Sequence, residues 1–297
     1  RRYSTIIGGA CNTSNAIYGF IGGGNCNKLY CFVSQEACFS SILNGTSNQI
    51  SGSYSFIGGG CNNKVENDSA KQFSTIVGGI LNTSSGQNSF IGNGCKNTIG
   101  TDYTSGVSLR NFIGNGNNNN IRGACLLNNI IGNGDQNSIN TYYNTSGRIC
   151  NSVIGGGIYN SIVSKYTTCN IFIGGGSNNC ISPGGGNSGC NHVIVGGRLN
   201  CISAQQFSTI GGGCSNAISV YNNYTFIGGG RNNRSEGAYS FSVIAGGDNN
   251  LNKGSLAFMG GGQSNYIYGY NSHNSIVGGC TNCINTRGRG HLIGGGI

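Results

Sequence analysis

The chain is poor in most of what marks an ordinary globular enzyme. In 297 residues it has no tryptophan, one proline, one methionine and three histidines, and only 8% of its residues are charged. Disordered chains of low hydrophobicity carry many charges and prolines, so the shortage of both argues for folded structure. A single proline and no Gly-X-Y period exclude collagen despite 57 glycines. No stretch approaches the ~20 apolar residues of a membrane span, so no membrane insertion is expected, and no signal peptide is visible. Opening on Arg1-Arg2 and stopping at Gly296-Ile297 inside a repeat, the sequence reads as a processed or partial chain.

Acidic residues are equally scarce. The seven are Glu36, Glu66, Asp68, Asp102, Asp135, Glu236 and Asp248. A glycosidase or calcium-dependent lyase needs grouped carboxylates, and none of these recur in adjacent repeats. Glu66 and Asp68 flank one loop, and Asp135 and Asp248 share a slot six repeats apart. Cys280 and Cys283 form a lone CxxC with no second ligand pair, and His192, His273 and His291 do not cluster with it, so no metal site is expected. The Gly-Gly-Gly runs are never followed by Lys-Ser/Thr, which removes the phosphate-loop reading and any cofactor with it. No catalytic residue and no enzyme are expected. The net charge of +9 is scattered over Lys28, Lys64, Lys96, Arg122, Lys165, Arg198, Arg231 and Lys253, unlike the single basic face of a nucleic-acid binder.

What is present is a repeat. Its anchors are Ile6, Ile21, Ile42, Ile57, Ile76, Ile91, Ile113, Ile131, Ile154, Ile173, Ile194, Ile210, Ile227, Ile244, Met259, Ile276 and Ile293. Three residues after each of these 17 anchors stands a glycine, and six after each of the first 16 stands an asparagine. Anchor spacings run from 15 to 23 residues, the mark of one small unit stacked on itself. The whole sequence, 1–297, reads as a single repeat domain.

The unit reads S-x-I-(G/V)-G-G-x-x-N-x-I. The residue before the anchor is mostly β-branched or aromatic, which favours a strand. Two after the anchor stands glycine, or asparagine at Asn44, Asn93, Asn115 and Asn133, which predicts a left-handed backbone there. The next position takes only glycine, so its φ/ψ is forbidden to a side chain or a neighbouring backbone passes too close. Eight after the anchor the chain is apolar in 12 of 16 copies. Each coil is therefore a strand, a glycine turn and a second strand. Insertions come after the second strand, as at Glu66 to Gln72 and Asn140 to Cys150, and are expected as loops on one side. The fold expected is an all-β β-solenoid (β-helix or β-roll) of about 17 short coils. Its asparagines should form an internal ladder: Asn12, Asn27, Asn48, Asn63, Asn82, Asn97, Asn119, Asn137, Asn160, Asn179, Asn200, Asn216, Asn233, Asn250, Asn265 and Asn282.

Cysteines in matching slots of adjacent coils lie ~5 Å apart, within disulfide reach. Cys11–Cys26 and Cys180–Cys201 are expected as staples, with one pair among Cys150, Cys169 and Cys190, and a weaker pairing of Cys31 with Cys38. The odd total of 15 leaves at least one thiol free or bonded between chains. Sequons occur at Asn12, Asn44, Asn67, Asn82, Asn144, Asn223 and Asn233. Asn67, Asn144 and Asn223 are the best glycan candidates. Asn12, Asn82 and Asn233 occupy the ladder, and there Ser14, Ser84 and Ser235 replace the second aliphatic, so the ladder is expected to turn outward and carry sugar. Disulfides and sequons point to an extracellular, cell-surface or virion-surface setting.

The S-F-I-G-G-G-C-N-N-K-V of Ser55 to Val65 and its 16 relatives resemble the head repeats of trimeric autotransporter adhesins and the β-rolls of phage or viral tail fibres. The resemblance implies stacked short coils of serine, valine, isoleucine and glycine. Triple glycines, variable loops, cysteines and sequons set this chain apart and look like a secreted or viral glycoprotein fibre. The function expected is a structural subunit of an extracellular filament, appendage or fibre that assembles end to end with its own kind. The alternative is a surface adhesin or carbohydrate-binding rod, with glycans as partners through the tyrosine-bearing loops.

Overall fold

The computed structural model describes residues 3–30, 39–66, 73–101, 107–142, 147–184, 189–219, 221–237, 241–269, 273–286 and 288–296. Among them every regular element is a β-strand, none is a helix, and the strands pair in parallel between successive coils. The chain is a β-solenoid. It divides into two units, Arg1–Asn144 and Thr145–Ile297, each built from the same coil.

In the first unit the anchor strands stack in register. Thr5–Ile6 pairs with Phe20–Ile21, and the column continues through Ser41–Ile42, Phe56–Ile57, Thr75–Ile76, Phe90–Ile91 and Phe112–Ile113 to Ile130–Ile131. A second sheet runs from Thr13–Ser14 through Lys28–Leu29, Gln49–Ile50, Lys64–Val65, Thr83–Ser84, Thr98–Gly100 and Asn120–Arg122 to Ser138–Thr141. Side chains alternate across a strand, so one residue of each two-residue strand faces in. The two inward columns, Ile21 to Ile131 and Leu29 to Ile139, are closed to solvent wherever they are aliphatic. A third inward row is polar: Ser40, Ser55, Ser74 and Ser89, two residues before their anchors, are buried. Ser40 Oγ, for example, donates to the Gly52 carbonyl at 2.8 Å and accepts from the Ser55 N–H at 3.1 Å.

The second unit repeats this from Val153–Ile154 to Leu292–Ile293. Both units also contribute strands to a third sheet: Val107–Leu109 pairs with Cys125–Leu127 in the first, and Arg148–Cys150, Thr168–Cys169 and Gly189–Cys190 pair in order in the second. Part of the Asn140 to Cys150 insertion, expected as loop, is thus a strand. Ile149 points inward there and is fully buried, which an exposed loop would not allow. Glu66 to Gln72 lies, after Glu66, outside the described residues.

The turn chemistry differs from expectation at one slot. Asn44, Asn93, Asn115 and Asn133 are not left-handed. Their Oδ1 atoms accept the N–H of the following glycine at 2.7 Å, a local cap that selects asparagine without positive φ. The left-handed glycine is the next one. Gly60 has φ +89°, and a Cβ there would stand 2.1 Å from the Gly79 carbonyl oxygen of the next coil. Both reasons for an invariant glycine hold at once.

Candidate functional site

The residue type that fills every coil, the ladder asparagine, sits just inside this turn. Asn27 is typical. Its Oδ1 accepts the N–H of Asn48 at 3.0 Å, and its Nδ2 donates to Gly23 at 3.0 Å and to Gly45 of the next coil at 2.8 Å. The same Oδ1-to-N–H link runs from Asn12 through Asn27, Asn48, Asn63, Asn82, Asn97 and Asn119 to Asn137 in the first unit. In the second it runs from Asn160 through Asn179, Asn200, Asn216, Asn233, Asn250 and Asn265 to Asn282. The amide has one acceptor and two donor hydrogens to place, and the coils use all three. A ligand would have to displace a backbone bond to reach it.

That arrangement corrects the expectation for the ladder sequons. Asn82 and Asn233 are fully buried, and each Nδ2 donates to two turn carbonyls. Ser84 and Ser235 also point inward and are buried. The ladder does not turn outward there, because the backbone bonds that hold the slot do not depend on the identity of the neighbouring side chains. A sugar on either Nδ2 would have no room in the folded chain. Asn12 is half-buried in the same bonding pattern, Asn44 is exposed at a turn, and Asn223 is half-buried with its Oδ1 accepting the Gln206 N–H at 3.0 Å. Asn67 and Asn144 lie outside the described residues.

The cysteine columns hold most of the chemistry. Cys150 and Cys169 form a disulfide across adjacent coils with α-carbons 4.7 Å apart. Cys190 continues the column as the in-register neighbour of Cys169 and is a free thiol. Cys180 and Cys201 also stand in register but are thiols sharing a hydrogen bond. That bond eases ionisation of Cys201 and, with burial, hinders that of Cys180. Cys11 and Cys26 meet as thiols at one corner, where the Cys26 N–H bonds the Ala10 carbonyl at 2.9 Å; burial and the Cys11 contact raise the Cys26 pKa. The two expected staples are therefore open, although the coils bring each pair of cysteines side by side. Cys31 and Cys38 lie outside the described residues.

Cys214 stands in a turn column between Arg198 and Arg231. Its hydrogen bond with Ser215, then the one from Arg198 Nη2 at 3.7 Å, pull its pKa down. Arg231 in turn forks onto Asp248 at 2.9 and 2.7 Å.

Two features escaped the sequence. His192 replaces a serine of the inward polar row, is fully buried, and has no hydrogen-bond partner at either ring nitrogen. Burial pushes its pKa down to about 4, and the Gln205 backbone, outside hydrogen-bond geometry, offsets only part of this. The second feature is an exposed aromatic stack, Tyr3–Tyr18–Phe39–Tyr54–Phe73, with ring centroids 5.5, 4.9, 5.5 and 4.9 Å apart. These residues all stand three before their anchors, a period that reading the tyrosines as loop residues does not capture.

No protein-family profile matches the chain, and no curated protein matches it significantly in sequence.

Proposed function

We propose that this chain is a structural subunit of an extracellular glycoprotein filament, appendage or fibre, assembling end to end. The observation that carries this is the use of the repeated asparagine. Its polar atoms are spent on coil-to-coil bonds in both units, so the residue kept in every repeat serves stacking. Parallel in-register strands offer each coil the same rows of donors and acceptors that it offers the next, and such a surface accepts a like chain as readily as a further coil. The Cys150–Cys169 disulfide and the exposed sequon at Asn44 suit an oxidising, glycosylating compartment.

Negative-stain microscopy of native material, with light scattering of the purified chain over a concentration series, tests this. Filaments and concentration-dependent growth are expected; a chain that stays monomeric at high concentration and forms no filament refutes it. The second reading, an adhesin or carbohydrate-binding surface, draws on the exposed aromatic column. Those rings stack on one another and offer their edges outward, whereas sugars bind ring faces. A glycan array discriminates the two.

A further inference from the structure

In the second unit the third sheet ends three successive strands on a cysteine. Cys150 pairs in register with Cys169, and Cys169 with Cys190. The residues just before them, Ile149, Thr168 and Gly189, are buried. Side chains alternate across a strand, so the three sulfurs share the outer face. The same turn follows each cysteine: Asn151, Asn170 and Asn191 are left-handed, at φ 50°, 58° and 62°. Backbone bonds clamp this corner from coil to coil. The Asn170 N–H donates to the Cys150 carbonyl at 3.0 Å, the Asn191 N–H to the Cys169 carbonyl at 3.1 Å, and the Phe207 N–H to the Cys190 carbonyl at 3.0 Å. Asn170 Nδ2 also donates to Asn191 Oδ1 at 3.1 Å. Equivalent corners present the cysteines one above another at a single coil spacing.

Three sulfurs here share one bond. Cys150 and Cys169 hold the disulfide, with α-carbons 4.7 Å apart, and Cys190 is a free thiol. Cys169 and Cys190 stand one coil apart, ~4.8 Å, which a disulfide also spans. Cys150 and Cys190 stand two coils apart, ~9.6 Å, which it does not. Cys169 is therefore a member of either bond, and only its partner differs. Among the described residues no other row holds three consecutive cysteines: Cys180 and Cys201 are flanked in theirs by Ser161 and Ala217.

We infer that this column is a thiol–disulfide exchange site whose cross-link moves between two coil junctions. The Cys190 thiolate attacks the Cys169 sulfur and forms a bond to it. The Cys150–Cys169 bond breaks, its electron pair leaves on the Cys150 sulfur, and Cys150 takes up the proton that Cys190 gave up. One disulfide and one thiol stand on each side of the reaction, so no oxidant or reductant is consumed. Exchange needs the incoming sulfur to approach opposite the leaving one, and a straight column brings Cys190 to Cys169 from the side away from Cys150. Neighbours held one coil apart also meet at an effective concentration that a thiol in solution does not match. The two bonds close loops of nearly equal length, so chain entropy favours neither. Burial distinguishes the released thiols: Cys150 is 7% exposed, whereas Cys190 is half-buried. Strained disulfides are the labile ones, so bending that loads one junction transfers the bond to the other, and the rod keeps its cross-link.

This inference is independent of whether chains assemble. The test incubates the full chain at about pH 8 with a chelator, in the absence of oxygen and of any added thiol, then stops exchange with acid, which protonates the thiolate. Peptic mapping under non-reducing conditions reads the links. Both Cys150–Cys169 and Cys169–Cys190 peptides are expected, each at roughly a tenth of the total or more. The two isomers, separated in acid and returned singly to the first buffer, should regenerate one mixture at a rate independent of protein concentration. Cys190→Ser, or Cys190→Ala should that variant misfold, should keep the Cys150–Cys169 link alone under the same treatment. A wild type that shows only Cys150–Cys169 at every time, or isolated isomers that persist, overturns the inference. So does a rate proportional to protein concentration, which places the exchange between chains, or a Cys190 variant that scrambles as wild type does.

Discussion

Asn63 and Asn82, on adjacent coils, are joined side chain to backbone: Asn63 Oδ1 accepts the Asn82 N–H at 3.0 Å. The same side chain closes its own turn and grips the next, its Nδ2 donating to Gly59 at 3.0 Å and to Gly79 at 2.8 Å. Asn63 and Asn82 are both fully buried, so the Asn82 N–H finds no water when the Asn63 side chain is removed.

Asn63→Ala is therefore expected to leave the Asn82 N–H without a partner and to take one donor from each of the Gly59 and Gly79 carbonyls, of which Gly79 keeps the Cys61 N–H at 2.9 Å, and to cost about 2–4 kcal/mol. Asn62→Ala, next door on the exposed side of the turn, should cost about 1 kcal/mol or less, the preference of asparagine over alanine at its left-handed φ of 53°. Urea denaturation of the two variants checks the contrast. Equal effects would mean that the ladder fills space without holding the coils.

The turn glycines give a second contrast. Gly60 is left-handed and its Cβ would meet the Gly79 carbonyl oxygen at 2.1 Å, whereas a Cβ on Gly59 would meet only the Asn44 carbonyl oxygen, at 3.8 Å. Gly60→Ala should cost more than about 2 kcal/mol, from the left-handed penalty plus displacement of the next coil. Gly59→Ala should lie within about 1 kcal/mol of wild type. Thermal melts of both decide it.

The legibility of these positions from sequence comes from what restricts them. Gly60 and its equivalents admit a single residue type because any side chain collides with backbone, and Asn63 and its equivalents because only a carboxamide both accepts and donates twice in so small a slot. Such positions announce themselves. The corner five residues after each anchor is as uniform in shape and invisible in sequence: Cys11, Leu81, Lys96 and Tyr159 are all left-handed, at φ 55°, 58°, 56° and 57°. What fixes them is the previous coil, as when the Lys96 N–H bonds the Ile80 carbonyl at 2.9 Å, and a backbone bond leaves no mark on residue choice. The sequons at Asn82 and Asn233 misled for the converse reason. A sequon is a local pattern of three residues, and burial is decided by the coils above and below.

His192 sets a pH dependence. The unfolded imidazole titrates near 6.5 and the buried one at about 4, so between these values the unfolded chain binds more protons and acid draws the equilibrium toward it. Stability should be level above about pH 6.5 and fall by roughly 3 kcal/mol as the pH drops to about 4. His192→Ser, matching Ser208 in the same slot of the following coil, should flatten that part of the profile. Urea midpoints measured from neutral to acid pH test this; a variant with the wild-type slope places the titrating group elsewhere.

The cysteine column makes a sharper prediction because its three members are not equivalent. Cys169 has a neighbour on each side, Cys150 in the disulfide and Cys190 in register on the following coil. Cys150→Ser should therefore let Cys169 close onto Cys190 when the protein is oxidised. The loop closed is of similar length, and chain entropy varies only as its logarithm, so stability should match wild type within about 0.5 kcal/mol. Cys169→Ser removes the middle member. Cys150 and Cys190 are then two coils, ~9.6 Å, apart, beyond the reach of a disulfide. That variant should lose the cross-link and about 2–4 kcal/mol. Peptide mapping under non-reducing conditions, with melts in parallel, distinguishes the cases. A Cys150–Cys190 peptide from Cys169→Ser, or no Cys169–Cys190 peptide from Cys150→Ser, would mean that the register of the third sheet is not as described.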